Sequence, residues 1–104
     1  DVYTPASNSW HAGPPLATAR SGVAGALYQG KIFVAGGECR DKRTYPEMEG
    51  FDLKSGAWAS YSPMTKGRHG FGGVVVGQNL YYAGGSTECG GGRRTNELLV
   101  FNLS

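Results

Sequence analysis

The sequence repeats itself, and the interval is fixed. Trp10 recurs as Trp58, Pro15 as Pro63, Arg20 as Arg68, Gly22 as Gly70 and Ile32 as Leu80, each pair 48 positions apart. The doublet Gly36-Gly37 recurs in the same phase as Gly84-Gly85. Tyr3 maps onto Phe51 at that interval, and Phe51 onto Phe101 at 50, a step stretched by a longer loop. A chain of 104 residues therefore holds two copies of one unit. A unit this short cannot bury its apolar face alone, so it has to stack on its neighbour.

Each unit reads as four short strands. Strand a runs over 22–28 and 70–76 and is small and apolar. A tight turn at Gln29-Gly30, or Gly77-Gln78-Asn79, leads to strand b over 31–35 and 80–83, rich in β-branched and aromatic residues. The glycine doublet ends strand b, where the backbone needs positive φ or the close approach of a neighbour. A polar loop of variable length precedes strand c over 47–53 and 97–103, and the Lys54-Ser55-Gly56 turn leads to strand d around Trp58. Strand d of the preceding unit surrounds Trp10. No stretch keeps a 3.6-residue period, and 18 glycines argue against helices on propensity alone. The expected class is all-β.

Composition removes several functions. No apolar run reaches the roughly 20 residues that span a bilayer, and no N-terminal signal segment is visible, which points to the cytoplasm and away from membranes. A formal charge of +2 is too small for a basic nucleic-acid-binding tail. Aromatic residues at 12% are too abundant for a disordered chain.

The motifs Arg20-Ser-Gly, Ile32-Phe-Val-Ala-Gly-Gly37, Phe51-Asp-Leu and Trp58 in one unit resemble the kelch repeat. So do Arg68-His-Gly, Leu80-Tyr-Tyr-Ala-Gly-Gly85 and Phe101-Asn-Leu103 in the other. The resemblance covers essentially the whole chain, and residues 85–101 look most like the final blade of bacterial six-bladed kelch proteins. It implies β-propeller blades, each a four-stranded antiparallel sheet packed around a central channel. Residues 1–13 are then the outer strands c and d of a permuted blade, 14–61 a complete blade, and 62–104 strands a to c of a blade lacking its own strand d. Kelch propellers close with about six or seven blades, and this chain encodes two. A two-blade monomer would leave apolar faces and open edges in water. The expectation is a homotrimer making six blades, with a tetramer making eight as the alternative. In either ring the Trp10 strand of one chain completes the final blade of the next. Trp10 and Trp58 are expected as equivalent anchors buried between blades. Gly36, Gly37, Gly84 and Gly85 are expected to serve backbone geometry, not phosphate binding.

Alternating strand directions bring the b–c and d–a loops to one face of the disc. That face collects eight of the 10 basic residues: Arg20, Arg40, Lys42 and Arg43 from the first unit, with Lys66, Arg68, Arg93 and Arg94 from the second. Glu38, Asp41 and Glu88 make it mixed but net positive. Its candidate ligand-binding residues are Arg20, Arg40, Arg43, Arg68, His69, Arg93 and Arg94. An acidic peptide or another anion fits arginines able to grip carboxylates in a bidentate way; ordinary solvated loop charge is the competing reading. Arg20 falls almost opposite Glu38, which suggests a structural ion pair, and His69 is placed at the channel mouth. Cys39 and Cys89 lack a CxxC pattern, so free thiols are expected ahead of a disulfide, and no metal or cofactor is implied.

The leading function is a noncatalytic kelch module for self-assembly and for protein or anionic-ligand binding through the loop face. The alternatives are a kelch-type enzyme or a two-blade fragment or designed chain without an evolved activity. A copper-radical oxidase would need a cluster of Tyr, His and Cys ligands, and His11 and His69 are not even repeat mates. A sialic acid epimerase-like propeller would need a channel ring, which Arg20, Arg68 and His69 of a closed oligomer would have to supply.

Overall fold

The computed structural model describes every residue except Cys39, with Arg40 described by its backbone alone. Nine strands follow in order: β1 Val2–Thr4, β2 Ser9–His11, β3 Ala24–Tyr28, β4 Lys31–Ala35, β5 Met48–Asp52, β6 Ala57–Tyr61, β7 Gly72–Val76, β8 Asn79–Ala83 and β9 Leu98–Asn102. Among the described residues one 3-10 turn, Arg40–Lys42, interrupts the b–c loop of the first unit. All described pairings are antiparallel, giving a β1-β2 hairpin, a four-stranded sheet β3-β4-β5-β6 and a three-stranded sheet β7-β8-β9. The repeat interval survives in the registers. Leu27, Ile32, Phe51 and Trp58 stand in one row across the four-stranded sheet, and Val75, Leu80 and Phe101 in the matching row of the next.

The strands differ from the sequence reading at their ends, for stated reasons. Strand a starts at Ala24 and Gly72, not at Gly22 and Gly70, because those glycines sit at φ 69° and 64° and turn the chain out of the ladder. Strand c is one residue shorter at each end; Leu53 and Leu103 donate instead to the a–b turns, at Gly30 O (2.9 Å) and Gln78 O (2.8 Å). At the turn between β3 and β4 both central residues have positive φ, Gln29 at 45° and Gly30 at 74°, the geometry that two-residue hairpins favour. Beyond β5, the Asp52 carboxylate accepts from the amides of Lys54 (2.8 Å) and Ser55 (3.2 Å). Those amides hold its carboxyl below the usual carboxylate range.

The core lies between the two larger sheets. Ala24, Phe33, Ala35 and Met48 from one meet Leu80 and Tyr82 from the other, with Tyr61, Phe71 and Phe101 closing the rim. Rings interlock within each sheet and across the seam: Tyr61 stands edge-on to Phe33 of its own sheet (5.0 Å) and to Phe101 of the other (6.4 Å), and Phe71 to Tyr82 (5.4 Å). The Tyr82 hydroxyl donates to Met48 Sδ at 3.4 Å, a weak acceptor, and burial pushes its phenol above the ordinary range. Gly50 and Gly73 make room for rings lying flat on the sheet, since a Cβ on either would stand 2.7 Å from Tyr61 or Tyr82.

The outer sheet faces are open. Val74, Val76, Leu98 and Val100 are each more than half exposed. Trp58 is half-buried, 5.0 Å from Phe51, and its Nε1–H donates to Pro14 O at 2.8 Å. Trp10 is 68% exposed in the single chain, where its strand pairs only with β1. Among the described residues its ring partner is Tyr3, 5.1 Å away.

The first glycine doublet marks where the two sheets converge, whereas a Cβ at Gly84 or Gly85 would meet atoms of their own unit. Gly36 and Gly37 have φ of 73° and 116°, and a Cβ at Gly36 would stand 2.5 Å from Arg68 O and 2.6 Å from Phe71. Gly36→Ala should therefore abolish the cooperative thermal transition followed by circular dichroism. Gly30→Ala has a similar φ of 74° but nothing within 4 Å, so it should cost only about 1–2 kcal/mol. Equal melting of the two variants would remove the packing role given to Gly36.

Candidate interaction face

The two b–c loops are built alike. In the first unit Ser21 and Glu38 exchange backbone hydrogen bonds (3.0 and 2.9 Å), and Glu38 also bridges to Thr44. In the second, His69 and Ser86 exchange the same pair (3.0 and 2.9 Å), and Ser86 bridges to Arg94. Each loop is thus tied to the d–a segment of its own unit. The units are tied to each other by the Gly37 amide on Arg68 O (2.8 Å), the Gly70 amide on Gly22 O (2.9 Å) and Thr44 Oγ1 on Thr87 O (3.0 Å). Backbone polar groups are satisfied across the seam, so the loop face rests on a fixed frame.

His69 is the hub of this face. Its Nδ1 lies 3.2 Å from Glu38 Oε1 and its Nε2 lies 2.7 Å from Glu88 O. The other Glu38 oxygen accepts from the Gly90 amide at 2.8 Å. One side chain from each unit therefore clamps the neighbouring loop. Cys89, within that loop, is disulfide-bonded, which corrects the free-thiol expectation; Cys39 lies outside the described residues.

The arginines separate into two kinds. Arg20 and Arg68 point inward, with side-chain exposures of 1% and 0%. The expected Arg20–Glu38 pair is not formed. Arg20 Nη2 bonds Glu49 Oε2 at 2.8 Å, because Glu38 is occupied by His69 and Gly90. Arg68 has a looser partner: its Nη2 lies 3.6 Å from Glu97 Oε1, and neither Nη1 nor Nη2 makes a hydrogen bond. The counterpart of Glu49 on β9 is Leu99, 50 positions later, so the carboxylate that serves Arg20 has no equivalent beside Arg68. Neither guanidinium reaches the solvent of the face.

The remaining basic groups are outward. Arg43 stacks 4.5 Å above the Tyr45 ring and lies 3.8 Å from Glu47. Arg93 Nε lies 2.6 Å from Glu88 Oε1, both well exposed. Arg94 is exposed and has no ion-pair partner among the described residues. It lines a shallow depression of about 430 Å³ with His69, Ser86, Gly91 and Thr95. The side chain of Arg40 lies outside the description. Sequence reasoning missed Glu49, within β5, and Glu97, just before β9, as the partners of Arg20 and Arg68. Among the described residues no three His, Cys, Asp or Glu side chains converge as a metal-ligand group.

Comparison with known proteins places this architecture. No family model matches the chain. It is 38% identical over 80 residues to Kelch-like protein terF of Aspergillus terreus, covering 73% of this chain and 17% of that protein. It is 35% identical over 85 residues to an F-box/kelch-repeat protein of Arabidopsis thaliana, covering 79% and 21%. The Influenza virus NS1A-binding protein homolog of Xenopus laevis is 38% identical over 74 residues, covering 69% and 11%. The chain belongs to the kelch-repeat family. It spans about a fifth or less of the length of these relatives.

Within this kelch chain the buried Arg20–Glu49 pair is testable. Removing one partner strands the other charge in a site it cannot leave, at a cost of about 3–5 kcal/mol. Arg20→Ala should lose that much stability in urea unfolding. Arg20→Met combined with Glu49→Leu should recover most of it. A single variant as stable as the parent would show the pair to be dispensable.

Proposed function

We propose that this kelch chain is a noncatalytic interaction module, binding an acidic protein segment on its b–c and d–a loop face and associating with further copies of itself. The observation that carries the reading is the division of the arginines. Arg20 and Arg68 are spent on the frame, whereas Arg94 stands free beside His69 in the depression between pinned loops. A rigid frame presenting loop side chains is where scaffolds place recognition. One relative is named for binding the influenza virus NS1A, a protein partner. An enzyme of the epimerase kind would need Arg20 and Arg68 turned to the channel, and both are buried. For the self-association, three copies would supply six blades, and the per-chain rotation of about 120° closes a head-to-tail ring.

The loop-face binding has a direct test. A fluorescent poly-glutamate peptide should bind with an affinity that falls as salt rises, because the contacts are exposed. Arg94→Ala should weaken it about tenfold, the loss of one charge-assisted contact. Lys54→Ala, on the c–d turn at the opposite face, should leave it unchanged. Binding insensitive to Arg94, or equally sensitive to Lys54, would place the site elsewhere.

A further inference from the structure

The contact at the centre of the loop face asks more of His69 than a neutral imidazole can supply. Its Nε2 lies 2.7 Å from the Glu88 carbonyl oxygen, which can only accept, so that nitrogen carries a hydrogen. Its Nδ1 lies 3.2 Å from Glu38 Oε1, and the other Glu38 oxygen already accepts from the Gly90 amide at 2.8 Å. A neutral imidazole has one N–H and one lone pair. With Nε2 donating, the lone pair would point at a carboxylate oxygen. The contact therefore needs one further proton, on Nδ1 or on the carboxylate. Wherever it rests, the pair shares it.

The groups packed around the ring are few. On its own segment Arg68 turns inward to Glu97. From the first unit Gly22 lies against it, since a Cβ there would stand 3.2 Å from His69 Cβ and 3.6 Å from Nδ1, and glycine brings no charge. On the first b–c loop Glu38 meets the ring, Arg43 is taken up by Tyr45 and Glu47, and Asp41 and Lys42 are exposed. On the second, the Glu88 carboxylate pairs with Arg93, and it is the Glu88 carbonyl that serves His69. Cys89 is disulfide-bonded and does not titrate. Arg94 lines the same depression as His69 and Gly90, and its like charge opposes the extra proton. An acidic ligand beside Arg94 removes that opposition, so ligand and proton favour one another.

We propose that the His69–Glu38 contact is a proton-held latch that seats residues 87–93 against the first unit and so regulates anion binding beside Arg94. The site is the one proposed above for an acidic segment, and the regulation rests on that reading. Residues 87–93 close on themselves through the Thr87 amide on Arg93 O at 3.0 Å. Thr44 Oγ1 on Thr87 O (3.0 Å) holds the base of this loop to the first unit. The proton thus governs how the tip is seated, not whether the loop is attached. The sign follows from the donors. With the proton bound, both ring nitrogens and the Gly90 amide are satisfied. As pH rises through the range of about 5 to 8 in which histidines change charge, the proton leaves and a lone pair faces Glu38. Repulsion then parts the ring from the carboxylate that holds Gly90. The face is latched in mild acid and loosened in mild alkali.

Two readouts on the full chain separate the latch from the binding. Long-range proton–nitrogen NMR spectra should show both His69 ring nitrogens protonated at about pH 5.5, with the Gly90 amide shift following the loss of that proton as pH rises. The fluorescent poly-glutamate peptide should bind about tenfold more weakly at about pH 8 than at about pH 5.5, the loss of one charge-assisted contact. Glu38→Gln is the decisive variant. Its amide nitrogen donates to a neutral Nδ1 while its oxygen keeps the Gly90 bond, so the latch should stay shut at both pH values and binding should stop responding. His11→Gln, at the other histidine of the sequence, which is exposed, should keep the full response. A Gly90 amide indifferent to pH, or a response that survives Glu38→Gln, would overturn the latch. A peptide bound equally at both pH values would overturn its regulatory role. A peptide bound at neither, with the NMR response intact, would overturn the loop-face reading and leave the latch standing.

Discussion

Backbone meeting backbone is the constraint on which this molecule depends. Where strand b ends, Gly36 and Gly37 let one sheet approach the next until the Gly37 amide reaches Arg68 O, and Gly70 returns the contact to Gly22 O. The approach leaves no room for a Cβ. It also fixes the distance at which Phe33, Met48, Leu80 and Tyr82 interdigitate. Side-chain packing between sheets is adaptable to a methylene or so, whereas a hydrogen bond between main chains is not. The first doublet thus sets the sheet spacing, and the core is cut to fit.

The loop face follows from the same constraint. Because the d–a segments carry Arg68 O and Gly22 O, they cannot drift relative to the b–c loops, and each loop bonds back to its own segment through Glu38 or Ser86. His69 then joins the two loops by contacting Glu38 on one side and Glu88 on the other. The face is rigid for reasons that lie beneath it. Recognition chemistry can be placed on such loops without upsetting the sheets, which is consistent with a family whose members share repeats but carry different names.

Much of this was legible in the sequence, and the part that was not has a common cause. The fixed interval gave the number of units, and the turn chemistry of Gln29-Gly30 gave the hairpins within a residue or two. The position of Gly36-Gly37 marked the point where the sheets converge. The ion pairs were misread. Arg20 does lie beside Glu38 in the ladder, since its neighbour Ser21 is bonded there, but the side chain turns inward to Glu49 while Glu38 reaches across to the other unit. Adjacency along a ladder is a property of the backbone, and a sequence shows it. Which way a long flexible side chain leaves that backbone depends on competition among partners in three dimensions. Trp10 shows a related limit: repeat equivalence assigns a role, but how far a ring is buried depends on what packs against it in three dimensions.

The inequality between Arg20 and Arg68 gives an otherwise periodic stack a direction. A run built only from the first unit would carry a paired guanidinium at every seam, since each copy brings its own Glu49. A run built only from the second would bury, at every seam, an arginine whose carboxylate partner is the half-exposed Glu97, 3.6 Å away and without a hydrogen bond. The units are therefore not interchangeable parts, although their backbones superpose in register and their glycines coincide. Lengthening this array by copying the first unit would add a close, buried ion pair at each step, whereas copying the second would add a longer and half-exposed one, a difference that follows from glutamate on one strand c and leucine on the other.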